Sequence, residues 1–102
     1  MTWAKRDPLR VLTVCGVGMG SSLILKMTAE KALAELGVPA RVEHGDLGSA
    51  RGAGADVILA QGLHTTELTG TAPVVVPVTN FLDVAGLKET LSQRFREQGW
   101  LT

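Results

Sequence analysis

The chain has 102 residues, 45% of them hydrophobic, with ten basic residues against ten acidic ones and a single cysteine. That length suits one small domain with one core, and the zero net charge excludes the basic excess of a nucleic-acid binder. No apolar run approaches the ~20 residues that span a bilayer, and one cysteine cannot close an internal disulfide, so the thiol fits a reducing cytoplasm.

Residues 1–8 read as a flexible leader ended by Pro8, and residues 9–102 as one domain. The leader carries charge but no apolar segment of the kind a signal peptide needs. The first strand is predicted over residues 9–14, where aliphatic and β-branched residues run almost unbroken, as in a strand covered on both faces. Cys15 and three alternate glycines, Gly16, Gly18 and Gly20, come next. The first helix is predicted from about residue 21 to residue 36, with Ser21 as N-cap, Gly37 as stop and Pro39 just beyond. Its apolar face is read as Leu23, Ile24, Met27, Leu33 and Leu36, which assigns Met27 to the core; Lys26, Glu30, Lys31 and Glu35 fall mostly away from it.

A short second strand follows at residues 40–44. Residues 46–55 begin with Asp46 and contain Gly48, Gly52 and Gly54, which weaken any helix there to a short or irregular one. The third strand is predicted at residues 56–60, and a short helix within residues 62–69. The fourth strand, residues 73–78, contains two prolines, which push it to an edge of the sheet. The last helix spans residues 83–98, with Asp83 as N-cap, Val84, Leu87, Leu91 and Phe95 as its stripe, and Gly99 as stop. Strands alternating with helices imply an α/β fold, a parallel sheet covered by helices on both faces. Sites in such sheets lie at the carboxyl ends of the strands, where Cys15 falls.

The turn after the first strand joins two chemistries. Backbone N–H groups of residues 16–22 can point inward, because glycine tolerates the φ values of an anion nest. The helix behind adds its positive end. Both lower a cysteine pKa and raise its thiolate fraction, and the same donors suit the oxygens of a phosphate. The hydroxyls of Ser21 and Ser22 supply further donors.

Several related motifs are absent. The nucleotide-binding G-x-x-x-x-G-K-[ST] fails because no lysine follows the glycines before Lys26. The dinucleotide pattern G-x-G-x-x-G is broken at Ser21, and no C-x-x-C is present. The phosphatase pattern of a cysteine and an arginine separated by five residues also fails, since Ser21 occupies the arginine position. A phosphocysteine formed here lacks a guanidinium to stabilise its hydrolysis, which suits a carrier better than a phosphatase.

His64 follows the third strand at the same sheet edge as Cys15. It is a candidate auxiliary group for the phosphate or thiolate, with a surface-loop histidine as the plainer reading. Asn80 shares that edge and reads as a turn residue. His44, Arg41 and Arg51 read as solvent-facing, Asp46 and Asp56 as turn and strand-start residues, and Trp100 as packing on the core or a neighbouring chain. No Cys/His spacing fits a metal, and nothing calls for a cofactor. Read from the residues alone, a phosphoryl carrier stands beside an anion-binding module with an inert Cys15 and a small phosphatase.

C-G-V-G-M-G-S-S-L-I-L-K-M, residues 15–27, resembles the active-site loop and first helix of enzyme IIB components of the bacterial sugar phosphotransferase system. Ascorbate-type IIB proteins are most similar, and lactose/cellobiose- and galactitol-type proteins more distant. The similarity continues through A-D-V-I-L-A at 55–60, His64, T-N-F-L at 79–82 and the final helix. The loop departs from the ascorbate-type pattern at Val17 and Met19, which are apolar where that pattern is polar, and two apolar residues there suit a docking surface. The resemblance implies a three-layer α/β/α fold with a four-stranded parallel sheet of order 2-1-3-4, like that of low-molecular-weight phosphatases. It implies that Cys15 accepts a phosphoryl group from phosphohistidine of enzyme IIA. Cys15 then passes it to a sugar, ascorbate-like by default, bound to membrane enzyme IIC. Gly16, Val17, Gly18, Met19, Gly20, Ser21 and Ser22 would form the phosphate cradle, in a cytoplasmic protein whose oligomeric state is left open.

Overall fold

The computed structural model describes residues 8–14, 18–45, 50, 52, 54–61, 70, 72–78 and 82–100, and of residues 18–22 and 61 the backbone alone. Among these residues the elements run β1 (Leu9–Val14), α1 (Gly18–Glu35), β2 (Ala40–Gly45), β3 (Val57–Gln61), β4 (Val74–Val78) and α2 (Val84–Glu97). The leader, residues 1–7, and the short helix expected within residues 62–69 lie outside them.

The four strands form one parallel sheet in the order β2-β1-β3-β4, the order the resemblance implies. β1 is flanked on both sides: Val11 pairs with Val42 of β2 and with Val57 of β3. Its unbroken aliphatic run follows from that position, since both of its faces are covered. β4, with Pro77, is an edge strand, where a residue lacking an N–H is tolerated.

Alternate residues of the strands serve two separate cores. Leu9 and Val11 join Val57, Leu59, Val74 and Val76 beneath α1 and α2, with Leu25, Leu33, Leu91 and Phe95 from the helices. Leu12 and Val14 point to the opposite face, with Ile58, Ala60, Ala50 and Ala55. Ala50 is helical and fully covered there; most of the segment around it lies outside the described residues.

The first helix differs from its sequence reading in two ways. α1 starts at Gly18, not near residue 21, so Ser21 is its fourth residue and not its N-cap. Glycine costs a helix about 1 kcal/mol, a penalty that local propensity overweights when the helix is 18 residues long and docked on a sheet. The buried face also differs. Leu25, Ala29, Ala32 and Leu33 are covered, whereas Leu23, Ile24 and Met27 are 46%, 44% and 67% exposed. Met27 therefore does not belong to the core. α1 is apolar around much of its circumference, and the sheet covers only one side of it; the row with two alanines lets the helix approach closely.

Both helices stop in the same way. Gly37 (φ +71°) and Gly99 (φ +77°) take the left-handed conformation. At α1, Val38 N–H donates to Leu33 O at 3.0 Å and Gly37 N–H to Ala34 O at 3.1 Å. At α2, Trp100 N–H donates to Phe95 O at 2.9 Å and Gly99 N–H to Arg96 O at 3.1 Å. These are the paired bonds of a Schellman motif. Its hydrophobic contact is present at α2, where the rings of Phe95 and Trp100 lie 5.9 Å apart, so half-buried Trp100 packs on the core as expected. Asp83 caps α2 as predicted: its Oδ1 accepts from Gly86 N–H at 2.9 Å.

Candidate functional site at the carboxyl edge of the sheet

The strands end together. Val14 is paired with Gly45 and with Ala60, and Gln61 with Val78. β1 and β3 are neighbours in the sheet, so the chain leaving Val14 starts one strand spacing, about 4.8 Å, from the chain of β3. In sequence, Cys15 follows Val14 directly, His64 comes three residues after Gln61, and Asn80 two residues after Val78.

Cys15, Gly16, Val17, His64, Asn80, Asp46 and Arg51 lie outside the described residues, as do the side chains of Met19, Ser21 and Ser22. The described residues form the frame on either side. Val14 is buried at the centre of the sheet, and α1 begins at Gly18. Three residues, the first of them Cys15, connect the two.

The early start of α1 changes the chemistry available to that connection. The first N–H groups of a helix have no partner within it; here they include those of Gly18, Met19 and Gly20. From Ser21, the fourth residue, onward the helix itself uses the N–H groups. The first turn of α1 carries no acidic side chain, so nothing within that turn offsets its partial positive charge. A helix N-terminus three residues beyond a buried parallel strand suits an anion.

Thr13 escaped the sequence reading. It is fully buried two residues before Cys15, and its hydroxyl donates to Glu43 O of β2 at 3.3 Å. That bond ties the last residues of β1 to the neighbouring strand. A polar residue in an otherwise aliphatic strand was the available signal, since buried hydroxyls take partners.

Other candidates fall away from this edge or stay in solvent. Asp56 accepts from Arg10 N–H at 3.0 Å through Oδ2, and its own N–H donates to Arg10 O at 2.8 Å. It fastens the start of β3 to the start of β1, at the opposite edge of the sheet. His44 and Arg41 are exposed on β2. Among the described residues no group of three His, Cys, Asp or Glu side chains is placed to hold a metal, and no helix is long and apolar enough to cross a membrane.

Comparison with known proteins agrees with this layout. The family described as "PTS system, Lactose/Cellobiose specific IIB subunit" matches residues 10–93. The ascorbate-specific PTS system EIIB component of Mycoplasma pneumoniae is 35% identical over 88 residues, covering 83% of this chain and 93% of that protein. The protein of the same name from Escherichia coli O157:H7 is 34% identical over 92 residues, 87% of this chain and 91% of its own. The solved lactose-specific IIB component domain from Streptococcus pneumoniae superposes with a TM-score of 0.57 at 17% identity, covering 90% of this chain and 95% of that one. At that identity the likeness speaks for the fold, and the parallel sheet of order 2-1-3-4 accords with it. With the family matched from the first strand into the last helix and ascorbate-type relatives spanning most of the chain, the chain belongs to the IIB subunits of the sugar phosphotransferase system.

Proposed function

We propose that Cys15 is the phosphoryl-accepting group of this subunit. The observation that carries the reading is its place in a IIB-family chain: the residue directly after buried Val14 and three residues ahead of the first residue of α1. The thiolate attacks phosphorus of a phosphohistidine on the IIA component. The S–P bond forms as the P–N bond breaks, and the imidazole leaves with the bonding electron pair. The N–H groups of residues 16–20 take the phosphoryl oxygens, which gain charge in the transition state. In the second step a substrate hydroxyl on the membrane IIC component attacks the phosphorus. The S–P bond breaks, the thiolate is restored, and the hydroxyl proton passes to a base on the acceptor side. His64 is an auxiliary donor to the phosphoryl group in this reading.

The substrate is an ascorbate-like sugar, supported by relatives named as ascorbate-specific over most of this chain. The protein works at the cytoplasmic side of that transporter. Ser21, which stands where a phosphatase carries arginine, belongs to α1, and the missing guanidinium favours holding the phosphoryl group over hydrolysing it.

The test is intact-protein mass spectrometry after mixing with phosphorylated IIA protein of an ascorbate-type system. One added phosphoryl group on the wild type, absent from Cys15→Ser, is the expected result. An unlabelled wild type in the presence of a donor that labels its own partner would overturn the proposal. Steady release of inorganic phosphate would favour the phosphatase instead.

A further inference from the structure

The two edges of the sheet are finished differently. In a parallel sheet, alternate residues of a strand turn their N–H and C=O groups to one neighbour, and the residues between turn theirs the other way. At β4, Val74 N–H donates inward to Asp56 O at 3.2 Å, so Pro73, Val75 and Pro77 face outward. Both prolines lack an N–H. The outward carbonyls are engaged as well: Pro73 O accepts from Gln98 Nε2 at 3.3 Å, and Val75 O lies 3.5 Å from Arg94 Nη1. Such an edge turns other strands away.

β2 is left open. Pro39 O accepts inward from Leu9 N–H at 2.8 Å, and Glu43 O from the Thr13 hydroxyl at 3.3 Å. The N–H and C=O groups of Ala40, Val42 and His44 therefore face outward, and no described residue bonds to them. A row of this kind is a template for a further strand. Between these residues stand Arg41 and Glu43, exposed on the sheet face away from α1. Arg41 lies beside Arg10, its register partner on β1, and like charges in that position are unfavourable. No described residue forms an ion pair with Arg41 or Glu43.

The spacing of these charges selects the occupant. The outward groups pair most fully with an antiparallel strand that sets Val42 opposite Val42 of a second copy, on a two-fold axis, and Ala40 opposite His44. Every outward donor of one copy then meets an acceptor of the other. Arg41 of each copy stands opposite Glu43 of the other, in the close pairs where side chains approach most. Moving the register by two residues sets Arg41 opposite Arg41, or Glu43 opposite Glu43. Charges on an edge ordinarily oppose pairing; these oppose the slipped registers and favour the symmetric one. A second copy matches the pattern by symmetry alone, and a chain of zero net charge does not repel its copy at long range.

We infer that two copies of this chain associate through β2, joining their four-stranded sheets into one continuous sheet across a two-fold axis at Val42. Antiparallel pairing turns the two carboxyl edges in opposite directions and makes no use of Cys15, so the dimer stands apart from the proposed role of that residue. The contact is one strand wide, small beside the ~1,600 Å² of a stable complex, so the dimer forms and parts with concentration.

The experiment is sedimentation equilibrium from micromolar to millimolar protein, with reductant present so that no disulfide through Cys15 contributes. The wild type should pass reversibly from one chain to two. Arg41→Glu and Glu43→Arg, at exposed positions, each set like charges opposite one another and should raise the dissociation constant about tenfold. The double variant Arg41→Glu/Glu43→Arg restores both pairs and should recover wild-type association; so should a mixture of the two single variants. Unfolding midpoints check that each variant is folded. Amide exchange at Val42 and His44 should slow as concentration rises. A wild type that stays monomeric at millimolar concentration would overturn the inference. So would a dimer indifferent to both single substitutions, or a folded double variant that does not recover. Val42 and His44 amides already protected in the dilute monomer would overturn it too, by showing that the chain itself covers this edge.

Discussion

The two helices lie on the same face of the same sheet, yet they use their apolar residues differently. α2 has one stripe, Leu87, Leu91 and Phe95, and all of it is buried. Its polar groups reach back to the sheet as well: Gln98 Nε2 donates to Pro73 O at 3.3 Å, and Arg94 Nη1 lies 3.5 Å from Val75 O. α1 has more apolar surface than the sheet accepts. It buries Leu25, Ala29, Ala32 and Leu33, and leaves Leu23, Ile24 and Met27 in solvent. An apolar residue identifies the core when its helix has a single stripe. Where a helix has two, the second is surplus to folding.

The contrast can be broken by stability measurements in denaturant. The largest effects belong to the buried rows. Phe95→Ala, at a fully covered position of α2, should cost about 3–5 kcal/mol, and Leu25→Ala, equally covered on α1, about 2–5 kcal/mol. Equal treatment of the two residues by the fold requires both losses; a Leu25→Ala protein of near wild-type stability would mean that the assigned face of α1 is wrong. Removing the cap tests how α2 begins. Asp83→Ala loses the bond to Gly86 N–H and should cost ~1 kcal/mol. Thr13→Val deletes the side-chain bond from β1 to Glu43 O and should cost on the order of 1 kcal/mol.

The smallest effect sharpens the contrast most. Ile24→Gln and Met27→Gln should each change stability by no more than about 0.5 kcal/mol, as surface substitutions do. A loss of about 2 kcal/mol from either would return that residue to the core.

Much of the fold was legible because its signals were local and unambiguous. β1 was read to the residue, since an unbroken aliphatic run between Pro8 and Cys15 admits little else. α2 was read to within a residue at each end, because its cap, stripe and stop agree. Pro77 marked β4 as an edge strand. The start of α1 was misplaced because glycines were read as turn residues, and at Gly18 and Gly20 the helix overrides that preference. At the site, the order strand, Cys15, helix was visible in the sequence. The number of residues between strand and helix was not, and it decides which N–H groups face the connection.

By itself, then, the sequence determined the class of the fold, the stop of each helix at Gly37 and Gly99, and the placing of one thiol between a central strand and a helix. These depend on neighbours a few positions apart. Only the tertiary structure decided which side of α1 meets the sheet, because the helix offers apolar residues in more than one direction and docking selects among them. It also decided that Leu82, distant in sequence, comes to lie beside Ile24 and Met27. That meeting depends on how α1 and α2 pack against each other across the same face of the sheet.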